Sequence, residues 1–165
     1  MAQDYKGAAE LLGRTANFIE DHRNLYVSSG GAEGHVIRYD HVNIPWHLPA
    51  LLLETVGRKS GRCHVVALIY GLQVGEFVVV GSKGGYAEHP AWYLNLREQE
   101  QVNFQVGTQA WSGTWREPEG AEYDEVWAYM EKLFPNYADY RKAVTRTIPI
   151  VLLKPGERIP VFKAD

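Results

Sequence analysis

The chain has 165 residues, with 17 Lys and Arg against 20 Asp and Glu, 45% apolar residues and one cysteine. This length predicts one domain with a sizeable core, the single cysteine excludes an internal disulfide and a multi-thiolate metal cluster, and the net charge of −3 argues against a dedicated nucleic-acid-binding protein. The 5 Trp, 10 Tyr and 5 Phe are either core residues or the lining of a pocket for a flat ligand.

The first predicted element is an amphipathic helix. Apolar residues recur at three-to-four spacing from Ala8 to Tyr26, which predicts a helix over about residues 5–27 that stops at Ser28-Ser29-Gly30-Gly31. A surface helix that covers a sheet is favoured over a membrane-lying one, although peripheral membrane contact is left open. No secretory leader and no membrane-spanning apolar run is visible, so a cytoplasmic protein is expected, with membrane association as the alternative.

Short apolar runs separated by turn residues follow, and they predict an antiparallel sheet. The predicted strands lie at residues 50–56, 65–70, 76–81, 101–106, 110–116 and 148–153. Strands 65–70 and 76–81 are expected to pair across residues 71–75, and the next two across 107–109. Helices are predicted at residues 90–98, 121–134 and 136–144. We therefore expect a single α+β domain over residues 1–165, with a small barrel beginning at about residue 36.

Common catalytic and metal-binding motifs do not occur in the sequence. No G-x-G-x-x-G follows a strand, and there is no Walker loop and no G-x-S-x-G turn. The six histidines show no H-x-x-x-H spacing and no accompanying carboxylate motif, so no metal site is predicted. Cys63 and His64 are neighbours on a strand and point to opposite faces, so Cys63 is interpreted as an ordinary small residue.

Two basic, glycine-bearing turns give the positive signal for a ligand. Arg58, Lys59 and Arg62 lie within five residues of one turn, and Lys83 lies in Gly81-Ser82-Lys83-Gly84-Gly85, directly after a strand. Glycines let backbone N–H groups approach a ligand closely, and lysine and serine add donors to phosphate or carboxylate oxygens. Two solvated surface turns and one anionic-ligand site are equally compatible with this pattern.

The helix predicted after His89-Pro90 adds a third candidate segment. Trp92 and Asn95 lie three residues apart and therefore on one helix face. Unpaired N–H groups near the start of the helix favour a phosphate. Trp92 is either a core residue or part of a pocket, and a purely structural role is harder to assign to an Asn on the same face.

Three motifs in this order resemble the deazaflavin-dependent nitroreductase family. They are Thr55-Val56-Gly57-Arg58-Lys59-Ser60-Gly61, Val80-Gly81-Ser82-Lys83-Gly84-Gly85 and His89-Pro90-Ala91-Trp92-Tyr93-Leu94-Asn95-Leu96-Arg97. Further matches lie at residues 29–34, 137–140 and 148–151, so the resemblance runs from about Ser28 to Leu153. Members of that family are split β-barrel proteins of actinobacteria that use coenzyme F420. The resemblance thus implies a split β-barrel of antiparallel strands with flanking helices.

The resemblance also implies which residues form the site. The phosphate and the acidic glutamyl tail of the cofactor would be held by Arg58, Lys59 and Ser60. One strand would run along the deazaflavin ring and hydrogen-bond its edge through the backbone: His64, Val65, Val66, Ala67, Leu68 and Ile69. Two segments would close the site around ring and phosphate: Val80, Gly81, Ser82 and Lys83, and Ala91, Trp92, Tyr93, Leu94 and Asn95. Tyr137 would lie over the open face of the ring, with Tyr140 lining the same pocket.

The implied reaction is hydride transfer from reduced F420 to a flat, electron-poor acceptor such as a quinone, a nitroaromatic or a conjugated enone or lactone. Ser82 and Tyr137 are the expected hydrogen-bond donors to the acceptor oxygen, where negative charge develops. An FMN-dependent oxidoreductase of similar fold is one alternative. A deazaflavin carrier without turnover is the other, and inward packing of Tyr137 and Tyr140 would favour it. Monomer and homodimer are both compatible with the sequence.

Overall fold

The structure, a computed structural model, describes residues 18–41 and 44–164. In this part of the chain an eight-stranded antiparallel sheet is flanked by helices. The strands are β1 (Val36–His41), β2 (Ile44–Val56), β3 (Cys63–Ile69), β4 (Gly71–Gln73), β5 (Glu76–Val80), β6 (Gln101–Val106), β7 (Gln109–Arg116) and β8 (Ile150–Ile159). The helices are α1 (Phe18–Ser28), α2 (Ala91–Leu96), α3 (Gly120–Leu133) and α4 (Asn136–Ala143), with a 3₁₀ turn at Lys83–Gly85.

The sheet curls because one continuous stretch of chain, β3 followed by β4, pairs with strands at both ends of the sheet. The strand order is β1-β2-β6-β7-β8-β5-β4, and β3 pairs with β2. The first part of β2 pairs with β1, and its second part pairs with β3 on one side and β6 on the other. β3 continues through Tyr70 into β4, which pairs with β5 at the opposite end of the sheet. The expected split β-barrel class is confirmed.

The predicted hairpin between residues 65–70 and 76–81 is wrong. β3 pairs with β2 instead, in a register that sets Leu52 opposite Ala67, while the short β4 forms the hairpin with β5 through the turn Val74-Gly75. β3 ends at Ile69 and β4 begins at the buried Gly71, where an added Cβ would lie 2.6 Å from Met130 Sδ. Residues 71–73 therefore form a separate strand, whereas the sequence pattern predicted them to be part of the turn between residues 65–70 and 76–81. The hairpin of residues 101–106 with 110–116 is confirmed.

Other boundaries shift by a few residues, and two strands, β1 and the short β4, escaped prediction. α2, α3 and α4 lie within or next to the predicted helices, whereas β2 and β8 are longer than predicted and β1 was not predicted. The first predicted helix is observed from Phe18, and its residues 5–17 lie outside the described residues. No helix among the described residues is long and apolar enough to cross a membrane.

Alternation along the strands builds one core inside the barrel and two outside it. Leu51 and Leu53 of β2 face the interior, where Phe104 is fully buried, whereas Leu52 faces α1 and packs near Tyr26. On the far side α3 and α4 cover the outer face of β5 and β8. α2 buries three side chains in the barrel interior, namely Trp92, Tyr93 and Leu96. This burial fixes α2 and with it the opening that α2 borders.

Candidate functional site

A cleft of about 540 Å³ opens where the β2–β3 turn, the loop after β5 and α2 meet. Its size is within the usual range for small-molecule and cofactor sites. Twelve residues line it: Thr55, Gly57, Arg58, Lys59, Ser60, His64, Val66, Lys83, Pro90, Ala91, Trp92 and Asn95. Nine of the twenty residues predicted for the site therefore meet in one place, and both basic turns contribute to it.

The β2–β3 turn, residues 57–62, is held by its own backbone and presents its cations outward. The Gly57 N–H donates to the carbonyl of Arg62 at 2.7 Å, and the Gly61 N–H donates to the carbonyl of Gly57 at 2.8 Å. Gly57 is buried, and an added Cβ there would collide with Ser60 Oγ and lie 2.8 Å from His64 Nε2. The side chains of Arg58 and Lys59 are exposed, so both cations are available to an anionic ligand.

Asn95 anchors this turn to α2. Its Oδ1 accepts hydrogen bonds from the backbone N–H of Arg58 at 3.2 Å and from Arg58 Nη1 at 2.9 Å. Its Nδ2 donates to Thr55 Oγ1 at 3.4 Å. Asn95 is 5% exposed and Thr55 is 1% exposed. The amide thus has a positioning role that the sequence did not predict, because it orients the Arg58 guanidinium at the edge of the cleft.

The second basic turn has an unusual backbone. Lys83, Gly84 and Gly85 have φ of 48°, 60° and 83° in succession, and lysine adopts such values rarely. Lys83 Nζ lies 3.8 Å from Glu88 Oε2, and both side chains are well exposed. An ion pair this exposed contributes little to stability, so Lys83 can leave Glu88 and bind a ligand in the cleft.

Arg146 connects this turn to the start of α2, and nothing in the sequence pattern pointed to it. Its guanidinium donates to the carbonyls of Ser82 at 2.9 Å, Gly81 at 3.2 Å and Tyr86 at 3.2 Å, and lies 3.1 Å from His89 Nδ1. Burial lowers the pKa of Arg146 below its usual value, and the pKa of His89 is lowered by burial and by the nearby Arg146 charge. His89 is therefore neutral at pH 7.

The inner wall of the cleft is apolar and includes a strand with one open edge. Among the described residues β3 pairs with β2 alone, so its other edge presents backbone N–H and C=O groups. Val66 and Trp92 add apolar surface next to that edge. A flat ring with polar atoms on its rim fits this wall, and the cations at the turns fit an anionic tail. The donor set therefore suits a deazaflavin with a phosphate-bearing tail.

The remaining predicted cofactor residues lie away from the cleft lining. Tyr93 is buried, and its hydroxyl donates to Glu117 Oε1 at 2.7 Å. Burial is the main cause that raises the pKa of Tyr93 to about 12, and the hydrogen bond to Glu117 is the second cause. The others pack into the three cores or form the loop behind the turn: Val65, Ala67, Leu68, Ile69, Val80, Gly81, Ser82 and Leu94. Backbone contacts from β3 and from the loop stay predictions for these residues.

The two predicted substrate-facing tyrosines differ in position. Tyr137 is 4% exposed and packs between Phe134 and Trp127, with ring centroids 5.1 and 6.2 Å away. Tyr140 is half-buried and lies against the second basic turn, 3.3 Å from the position of a Cβ at Gly85. Neither lines the cleft. Tyr140 is nearer to it, and the catalytic roles expected for both tyrosines stay predictions.

Comparison with known proteins identifies the family. The model of the F420H2-dependent quinone reductases matches residues 20–155. The chain belongs to this family. It is 30% identical over 135 residues to the F420H2-dependent quinone reductase of Mycobacterium tuberculosis (strain ATCC 25618 / H37Rv), an alignment that covers 80% of this chain and 86% of the relative.

Solved structures agree with this assignment. An F420H2-dependent reductase, FDR-A, is 34% identical with a TM-score of 0.59 over 64% of this chain and 94% of that one. Another structure, described as a domain-swapped dimer, is 29% identical with a TM-score of 0.61 over 84% of this chain and 98% of that one. The resemblance seen in the motifs is confirmed. This F420H2-dependent quinone reductase family member is an oxidoreductase with coenzyme F420 as its cofactor, and the FMN-dependent and carrier alternatives are not favoured.

Proposed function

We propose that the cleft holds reduced F420, with the phosphate and glutamyl tail at the two basic turns and the ring along β3, and that a quinone is reduced against the exposed face of the ring. One observation carries the proposal: Arg58, Lys59 and Lys83 converge on a cleft whose inner wall is an apolar surface beside an open strand edge. An anionic ligand without a ring would not use that wall, and an apolar ligand would not use the cations.

The cations of the two turns would bind different parts of the cofactor tail. Arg58 is oriented by Asn95 on α2, so its guanidinium can bind a phosphate through two parallel N–H bonds. Lys59 and Lys83 are exposed lysines on the two turns, and they suit the more mobile carboxylates of the tail. Ser60 Oγ accepts from the N–H of Arg62 at 3.2 Å and lies 3.4 Å from His64 Nε2. Its hydroxyl would exchange the long contact with His64 for a hydrogen bond to a ligand oxygen.

Reduced F420 supplies a hydride, and a proton from a hydroxyl or from solvent completes the two-electron reduction of a quinone to its quinol. The chain stabilises the negative charge that develops on the quinone oxygen. Ser82, 8% exposed at the start of the second basic turn, would donate a hydrogen bond there once the turn contacts the bound ligands, with Tyr140 beside the same turn. Val66 and Trp92 exclude water from the face of the ring.

The test is oxidation of reduced F420, followed by the return of the absorption of the oxidised cofactor after a water-soluble naphthoquinone is added without oxygen. We expect steady turnover with the quinone and none without it, and strong loss of turnover at low cofactor concentration in Lys59→Ala. Binding of F420 without quinone-dependent oxidation would leave a carrier protein and contradict the proposal.

The assembly of the chain is part of the same proposal. The domain-swapped dimer among the related structures supports a homodimer over a monomer. Light scattering on the purified protein is expected to give twice the mass of the chain. A monomeric mass with full quinone-dependent turnover would show that the second copy is dispensable.

A further inference from the structure

Among the described side chains near the cleft, Arg146 makes the most hydrogen-bond contacts, four in all. Three of its contacts are backbone carbonyls of one short segment, Gly81, Ser82 and Tyr86, and the fourth is the ring of His89. The loop that contributes Arg146, between α4 and β8, follows the helix that carries Tyr140. A side chain from late in the chain thus holds together the turn after β5 and His89, which lies two residues before α2.

The segment that Arg146 holds has an unfavourable backbone conformation. Three consecutive residues, Lys83 to Gly85, have left-handed φ angles, and a non-glycine residue there costs about 1 kcal/mol or more. The segment contributes two backbone hydrogen bonds of its own, from Gly85 N–H to Ser82 at 3.0 Å and from Tyr86 N–H to Lys83 at 3.2 Å. Carbonyls at both ends of this short turn accept from Arg146, so the guanidinium clamps the turn from outside.

Arg146 does not act as a ligand in this arrangement. It is absent from the residues that line the cleft, and all the donors that the structure engages point at the turn and at His89. We propose that Arg146 is a positioning residue: it holds the turn so that Lys83 and the turn's N–H groups meet the anionic part of the cofactor. This inference rests on the proposed function, since it assumes that the second basic turn contacts F420.

The shape of the guanidinium is essential to this role. A planar group with five N–H donors can reach three carbonyls and a ring nitrogen at once, whereas an ammonium has three donors at a single point. Arg146→Lys keeps the charge but cannot engage all four partners. The variant therefore separates positioning from a simple electrostatic attraction between Arg146 and the cofactor, because attraction survives the change.

The experiment compares Arg146→Lys with Arg141→Lys, in which the exposed Arg141 guanidinium over the Trp127 ring is changed in the same way. F420 affinity is measured by quenching of tryptophan fluorescence, and hydrogen exchange is measured for the amides of residues 84–86 in the free protein. We expect Arg146→Lys to weaken affinity about tenfold and to speed exchange of those amides by a similar factor. Arg141→Lys is expected to change each by less than about twofold.

Three results would overturn the inference. An F420 affinity of Arg146→Lys within about twofold of the wild type would show that the planar guanidinium is not needed. Weakened affinity with unchanged exchange at residues 84–86 would make Arg146 a direct ligand. Faster exchange in β6 and β7 as well would mark a general loss of stability. If Lys59→Ala and Lys83→Ala bind F420 like the wild type, the proposed site fails instead; if both lose affinity and Arg146→Lys does not, only the positioning role fails.

Discussion

Replacing Asn95 by leucine removes the link between α2 and the first basic turn while keeping the number and branching of the side-chain heavy atoms. The variant loses one hydrogen bond to the Arg58 guanidinium, one to the Arg58 backbone N–H and a longer one to Thr55. A bond to a charged group contributes about 1.5–3 kcal/mol and a neutral one about 1 kcal/mol. From the two bonds to Arg58 alone, the free energy of unfolding is therefore expected to fall by about 2.5–4 kcal/mol.

The cofactor affinity of Asn95→Leu is expected to fall for a separate reason. Arg58 would have to be ordered on binding, and immobilising an arginine side chain costs up to about 2 kcal/mol. This corresponds to about a tenfold to thirtyfold higher dissociation constant for F420. Fluorescence titration at a temperature where the variant is fully folded gives the constant, and chemical denaturation gives the stability.

Thr55→Val is the matched control, because it removes only the contact at 3.4 Å and leaves Arg58 bound to Asn95. We expect a stability loss of about 1 kcal/mol and an affinity change of less than about threefold. Equal loss of affinity in the two variants, or none in Asn95→Leu, would refute the idea that Asn95 preorganises Arg58.

Three further predictions concern the turn, the tyrosines and pH. Gly57→Ala is expected to displace Ser60 and His64 and to weaken F420 binding several-fold in a titration, with little change in melting temperature. Tyr140→Phe is expected to lower quinone turnover more than Tyr137→Phe, because only Tyr140 lies against the second basic turn; equal kcat values would contradict this. Burial lowers the pKa of His22, so below pH about 6.5 the unfolded chain binds more protons and stability falls. In His22→Gln the free energy of unfolding is expected to fall less steeply as the pH is lowered below about 6.5, as measured by chemical denaturation at a series of pH values. The same pH dependence in the variant and the wild type would contradict this role of His22.

Period-two patterns predicted most strands, but they did not predict the short β4 or the pairing of β3 with β2. The strand predicted at residues 65–70 was expected to pair with the next predicted strand, residues 76–81, because consecutive strands usually pair. Gly71, packed against Tyr129 and Met130, instead lets the chain leave β2 and join β5. That choice depends on contacts with α3, which is distant in sequence, so no local pattern could show it.

The cations and glycines of the two turns were predictable because their chemistry is local. Arg58, Lys59 and Lys83 meet in one cleft, as their motifs indicated. Arg146 escaped because its role consists of hydrogen bonds to backbone carbonyls 60 or more residues earlier in the chain. The position of Tyr137 also depends on tertiary packing: the three-residue spacing sets Tyr137 and Tyr140 on one helix face, but the face turns Tyr137 into the core.

The most direct test of the account is the F420 dissociation constant of Lys59→Glu compared with Lys142→Glu. Lys59 lies at the cleft, and Lys142 is an exposed lysine at the end of α4 outside it. Reversing a charge beside an anionic tail is expected to cost about 1–2 kcal/mol, or about tenfold in affinity, and reversal at Lys142 is expected to leave the constant within about twofold. Equal constants for the two variants would contradict the placement of the cofactor tail at the first basic turn.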